Sequence, residues 1–231
     1  MAITHLRAPR VVGSGALALA GLGAIILLVR TAAPPSVHGA TRANLPALVP
    51  SQAPQDIVVY ASELPKRALS EFDVWDDPAS PGGKLVGTRN DGGDLDPPPE
   101  NDPHVTFTVR VQAGVPYRCW VHMKVGPPKG VALANRVYVQ FSDAVDGANK
   151  EVLKPRSGSY LTASGPTRQG WHWVGCDAAS SSADRLVRFR SSGEVTVRIQ
   201  AGMEGVGFDQ FVLSPSRFLE SAPTEPVVPK P

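Results

Sequence analysis

The sequence predicts an all-β body, an antiparallel β-sandwich, behind a single hydrophobic helix at the N-terminus. Three observations lead there. Ten short runs rich in β-branched and aromatic residues fill the middle of the chain, clusters of Gly, Pro, Asn and Asp punctuate them, and no stretch between residues 56 and 220 carries a helical stripe. Strands without crossover helices pair antiparallel, which selects a two-sheet sandwich of the jelly-roll type over a parallel α/β fold. With 42% hydrophobic and 19% charged residues in 231, the chain can bury one good-sized core.

In chain order, the helix comes first. Val11 to Val29 is uncharged and, at 1.5 Å rise per residue, long enough to cross most of a roughly 30 Å hydrocarbon layer. Arg7 and Arg10 precede it, which places the N-terminus in the cytoplasm and everything after Arg30 outside. Residues 1–30 fit two fates. An uncleaved signal anchor suits an apolar run longer than the roughly 7–15 residues of a cleaved signal; a cleaved signal peptide suits the small residues at Ala33 and Ala40. Both export the body, either tethered to the membrane through the helix or secreted. Residues 31–55, with Pro34, Pro35, Pro46, Pro50 and Pro54, read as a semi-extended linker. Residues 221–231, SAPTEPVVPKP, read as a disordered Pro-rich tail, which leaves 56–220 as the folded body.

Charge excludes one class of partner. Three arginines of the first 30 residues, taken from 23 basic residues in all, leave 20 against 21 acids. A near-neutral body lacks the concentrated positive charge that phosphate recognition needs, so nucleic acid is not expected.

The ten runs are DIVVYAS (56–62), EFDVWD (71–76), KLVGT (84–88), HVTFTVRVQ (104–112), PYRCWVHMKV (116–125), NRVYVQFSD (135–143), GWHWVGC (170–176), RLVRFR (185–190), EVTVRIQA (194–201) and GFDQFVLS (207–214). Alternation assigns faces. Tyr117, Cys119, Val121 and Met123 form an apolar face, with Arg118, Trp120, His122 and Lys124 opposite; Trp171 and Trp173 share a face, with His172, Val174 and Cys176 opposite. In the last run, strict alternation puts Asp209 beside Phe211 and Leu213 on the core side, where a carboxylate requires a partner.

The ordered set VVYASE, AGVPYRCWVHMKV, NRVYVQFSDAV, GWHW and VTVRIQAGMEGVGFDQFVLSP resembles the carbohydrate-binding modules of families 6 and 35, over roughly 56–215. The resemblance implies a galactose-binding-like jelly roll, a non-catalytic role and, in many relatives, sugar binding. It also implies a structural calcium held by an acid after the first strand and an Asp in the last, here Glu63 and Asp209; Ala61 stands where relatives often carry a second acid. Ca²⁺ takes six to eight oxygens and would offset the desolvation of Asp209. Without a metal, turn amides or an Arg would serve Asp209 instead.

A pyranose stacks its C–H face on an aromatic ring while neighbouring polar groups fix its hydroxyls. Trp120, Trp171 and Trp173 are therefore candidate ligand residues, against the alternative that these indoles fill the core. Relatives often carry Arg-Glu-Asp-Gly before the last strand; here Gly202-Met203-Glu204-Gly205 keeps the acid at Glu204. Asn135 keeps the first residue of the Asn-Asp pair that often opens the VYVQF strand.

Cys119 and Cys176 fit two states. A disulfide would close a loop of about 58 residues and contribute about 4 kcal/mol on a chain-entropy reckoning; free, both thiols would pack as small hydrophobes. No nucleophile elbow, zinc-protease helix or phosphate loop is present, His104 reads as structural, and the acidic loop 90–103 lacks the order of a calcium-binding hand, so an enzyme is not expected. Two functions follow: an exported carbohydrate-binding module recognising a polysaccharide or glycan, or a structural or protein-interaction domain of the cell envelope that keeps the fold without the sugar.

Overall fold

The computed structural model describes residues 53–91, 93–125, 135–166, 170–178 and 185–228. The helix expected over 11–29, the linker through residue 52 and the last three residues of the tail lie outside the described residues. Among the described residues no helix is long and apolar enough to cross a membrane. The strands are β1 (Ile57–Tyr60), β2 (Leu69–Ser70), β3 (Asp73–Asp76), β4 (Lys84–Gly87), β5 (His104–Val111), β6 (Tyr117–Val125), β7 (Arg136–Phe141), β8 (Ala144–Val145), β9 (Leu161–Ser164), β10 (His172–Gly175), β11 (Asp177–Ala178), β12 (Leu186–Phe189), β13 (Gly193–Ala201) and β14 (Val206–Ser214). All strand pairs are antiparallel. The larger sheet runs β3-β4-β14-β6-β12-β8, with β1 also on β14 and β10 also on β6; the smaller runs β11-β9-β7-β13-β5-β2.

Each of the ten predicted runs contains a strand. Four strands escaped: β2, β8 and β11 are two-residue pairs, and β9, LTAS, has neither bulk nor alternation to mark it. Where alternation is clean, burial follows it. In β5, Val105, Phe107, Val109 and Val111 are buried while Thr106, Thr108 and Arg110 are exposed, and β5 pairs with β13 from Gly193 opposite Val111 to Gln200 opposite His104.

The core forms between the sheets. Phe211 of β14 meets Phe107 of β5 edge-on at 5.4 Å, Phe141 of β7 meets Phe189 of β12 at 5.6 Å, and Tyr117 of β6 meets Phe189 at 5.8 Å. Edge-on contacts of this kind add to the roughly 1.5–3 kcal/mol of burying each large side chain. The turn from β13 into β14 ends at Gly205, where φ is +83° and Asn90 lies within 2.4 Å of a Cβ position, so only glycine passes.

On the outer face of the smaller sheet, Gln140 Nε2 donates to the carbonyls of Lys154, Ser157 and Ser159, and buried Arg198 donates to Gln140, Gln200 and Asn101 side-chain oxygens. Burial holds Arg198 and His104 below their ordinary pKa ranges. His104 Nδ1 lies 2.9 Å from the Asp102 carbonyl, a structural contact.

Alternation fails at one place. Phe208 pairs with Met123, the next pair is Gln210 with His122, and Asp209 sits in a β-bulge between them. The extra residue carries Asp209 off the core face predicted for it; its carboxylate meets His122 on the outer face of the larger sheet. The two cysteines do meet. Cys119 Sγ donates to Cys176 Sγ at 2.8 Å, both fully buried, and burial with the Cys176 contact pushes the Cys119 thiol well above its ordinary range.

Truncating Phe211 to Ala removes the ring between Phe107 and Phe141 and is expected to cost about 3–5 kcal/mol in guanidinium unfolding; a loss under 1 kcal/mol would show that the sheets do not pack here. Iodoacetamide is expected to modify neither cysteine in the native protein and both after reduction and unfolding, as read by mass spectrometry. Rapid native alkylation would contradict the burial.

Candidate functional site

The outward faces of β6, β10 and β14 build one aromatic surface. His122 faces outward because β6 alternates, and β10 pairs beside it with Trp173 opposite His122. The imidazole is held between two indoles: Trp171 stacks on it at 4.8 Å and 16°, and Trp173 lies at 4.7 Å and 31°. Its Nδ1 is 2.7 Å from Asp209 Oδ1. Lys124, two residues along β6, places its ammonium 4.8 Å from the Trp171 ring centroid and pairs with Asp77, whose other oxygen accepts the Ala79 amide. The stack is thus flanked by one charge pair at the end of the sheet where β6 finishes and β14 begins.

The segment after β14 covers the other end of this surface. Residues 221–228, expected to be disordered, dock on it. Trp120 Nε1 donates to the Phe218 carbonyl at 2.7 Å and Trp173 Nε1 to the Glu225 carbonyl at 3.2 Å. Gln210 clamps Val227 in both directions, Nε2 to its carbonyl at 2.8 Å and Oε1 from its amide at 2.9 Å, and Tyr60 Oη donates to the same carbonyl at 2.9 Å. Val227 and Trp120 are buried with Val212 in a second apolar cluster, joined by Val58, Phe218 and Ala222. The segment through Val227 therefore lies on the sheet, beyond the boundary at 220 expected for the body.

The predicted residues separate accordingly. Trp120, Trp171 and Trp173 share the surface, but Trp120 is only 6% exposed and its nitrogen is committed to the chain, as is that of Trp173. Trp171 is half-buried, and its Nε1, itself buried, has no partner among the described residues. Asn135 lies elsewhere, bonded reciprocally to Gly165 at the β7–β9 end. Glu204 clips Gly93, its Oε2 accepting the Gly93 amide at 2.9 Å and its own amide donating to the Gly93 carbonyl, and lines a 340 Å³ surface cavity with Glu71, Asp73, Asp91 and Arg89.

Glu63 and Asp209 both act on Tyr60. Burial first, then the Glu63 charge, raises the phenol above its ordinary range, with Asp209 adding to it. One Asp209 oxygen, Oδ1, is engaged by an imidazole nitrogen, and the other, Oδ2, is buried without a partner among the described residues. Among the described residues no group of three or more His, Cys, Asp or Glu side chains is placed to hold a metal, so a cation at Glu63 and Asp209 would also draw on main-chain carbonyls. His122, Lys124, Asp77 and Gln210 complete the surface without having been singled out. Alternation in β6 already put His122 and Lys124 on the face of Trp120; nothing local marks Asp77 or Gln210.

No family model and no curated protein matches the chain. Among solved structures, the chain is similar to the C-terminal CBM6 of a marine laminarinase from Zobellia galactanivorans, at 12% identity over 69% of this chain and 99% of that one, TM-score 0.41. It is also similar to a family 35 carbohydrate binding module from Clostridium thermocellum, at 12% identity over 68% and 98%, TM-score 0.34. A third is the Podospora anserina GH26-CBM35 β-(1,4)-mannanase, at 16% identity over 71% of this chain and 28% of that one, TM-score 0.37.

Asp209→Ala leaves a buried imidazole nitrogen without its acceptor and is expected to lower stability by about 1–3 kcal/mol, with Asp209→Asn losing less because it can still accept the bond. Thermal melts with and without EDTA check the metal question at the same time. A melting temperature lowered by the chelator would support a cation at Glu63 and Asp209, and an unchanged one would leave Asp209 to the imidazole alone.

Proposed function

We propose that this β-sandwich is a non-catalytic, carbohydrate-binding-like module of the jelly-roll, galactose-binding-like type, exported or membrane-tethered through residues 11–29, and that it recognises a polysaccharide or glycan at the Trp171 end of the larger sheet. The observation that carries this reading is the unequal state of the three indoles. Trp120 and Trp173 spend their N–H groups on the chain itself, whereas Trp171 leaves part of its ring exposed, its own Nε1 being buried and without a partner among the described residues, so that the ring and not the nitrogen would meet a sugar. Beside it stands the Lys124–Asp77 pair, a donor and an acceptor of the kind that fix sugar hydroxyls around a stacking ring. The resemblance of the strand sequence to carbohydrate-binding modules of families 6 and 35 supports the same role.

The alternative, a structural or protein-interaction domain of the cell envelope, draws support from the docked segment, which occupies the half of the aromatic surface around Trp120 and Trp173. Retention on insoluble glucan, galactan and mannan columns separates the two. Trp171→Ala is expected to weaken retention about tenfold, equivalent to about 1.4 kcal/mol, with the melting temperature little changed. A wild-type chain that none of these polysaccharides retains would favour the alternative.

A further inference from the structure

The segment docked on the larger sheet is held in a way that does not depend on its belonging to the same chain. It reads APTEPVV over residues 222–228, with Pro223 and Pro226 three apart. Ala222 and Pro223, then Pro226 and Val227, turn toward the sheet as half-buried or buried pairs, while Thr224 and Glu225 between them are exposed. The inward pairs recur four residues apart, with bends at Thr224 and Glu225 between them, so the segment is a bent proline-rich stretch outside any sheet ladder, whose carbonyls are left to outside donors. The sheet supplies those donors. Trp173 Nε1 serves the Glu225 carbonyl, Tyr60 Oη and Gln210 Nε2 serve the Val227 carbonyl, and Gln210 Oε1 takes the Val227 amide. Each of these bonds is to main chain, and two side chains of the segment are buried, Pro223 and Val227, the latter against Trp120 and Val212.

The geometry points to a groove for proline-rich segments on the outer face of β1, β6, β10 and β14, filled in this structure by residues 222–228 of the same chain. Indole donors onto the carbonyls of a PxxP stretch, with pockets for paired residues and solvent-facing residues between, are the means by which aromatic grooves read such peptides. Recognition through main chain, one proline and one aliphatic side chain admits a segment of the same chemistry from another polypeptide. A tethered occupant sits at an effective concentration in the millimolar range, so a free peptide competes only when the strap is loosened.

The test uses the full chain with substitutions in the strap alone, where the strands are untouched. Val227→Asp puts a carboxylate in the apolar pocket, and the double change Pro223→Gly with Pro226→Gly removes both proline constraints. A fluorescein-labelled peptide of residues 221–231 is titrated with each chain and read by anisotropy. Both loosened chains are expected to bind it at least about tenfold more tightly than the wild type does. Adding Trp173→Ala to the Val227→Asp chain is expected to abolish the gain. Equal binding by loosened and wild-type chains overturns the proposal. So does unchanged protection of the Trp173 indole N–H from exchange in both loosened chains, which would make the segment a fixed part of the body. If loosening raises retention on a laminarin column without peptide binding, the face is a glycan surface and the peptide assignment is wrong.

Discussion

A strand buried along its whole length needs a cover on each face, and β14 is such a strand: all nine residues from Val206 to Ser214 are buried. An antiparallel sandwich normally leaves one face of each sheet to water. Here the inner face of β14 packs Phe208, Phe211 and Leu213 against the smaller sheet, and the outer face is covered by the aromatic side chains of β6 and β10 and by the segment through Val227. Removing water from that outer face favours partners in the protein for the polar side chains on it, and most find one, although Asp209 Oδ2 and Trp171 Nε1 have none among the described residues. Asp209 takes His122, Gln210 takes both polar groups of the Val227 main chain, and Ser214 donates to Asp56 while accepting the Phe218 amide. The segment docked in this structure therefore meets part of that need, through Gln210 and Ser214.

The same constraint divides labour among three tryptophans on one face. An indole has a large apolar body and a single donor, so its position relative to a main-chain carbonyl determines whether it serves the fold or remains for a ligand. Trp120, opposite Val212 in the middle of the sheet, lies under Phe218 and becomes a structural anchor. Trp173 is one register step closer to the open end and is shared between the His122 stack and the Glu225 carbonyl. Trp171, just ahead of β10, lies beside the Lys124–Asp77 pair and is the indole on which the proposed binding role rests.

Legibility varied with the range of the interaction. The faces of β6 were readable because alternation over Tyr117 to Lys124 is unbroken, and the contact of Cys119 with Cys176 agrees with the core-facing position read for the first of them. Asp209 was misplaced for a definite reason. A period of two assumes one residue per pleat, and the bulge opposite His122 adds one; it is a property of the β14–β6 pair, not of β14 alone. Glu204 and Asn135, singled out from the family pattern, turned out to clip loops to Gly93 and Gly165.

By itself the sequence determined the class of the body, the positions of its ten main strands, and which side chains of β6 and β10 share a face. Those features are local: burial of one face of a pleated strand imposes a period of two that any window of seven or eight residues displays. Only the tertiary structure decided that β14 carries a bulge, that a Pro-rich stretch belongs to the fold, and which indole is left unspent. Each depends on a partner distant in sequence, Gln210 on Val227, Trp173 on Glu225 and Asp209 on His122, and a proline-rich segment looks the same whether or not a sheet elsewhere offers donors for its carbonyls.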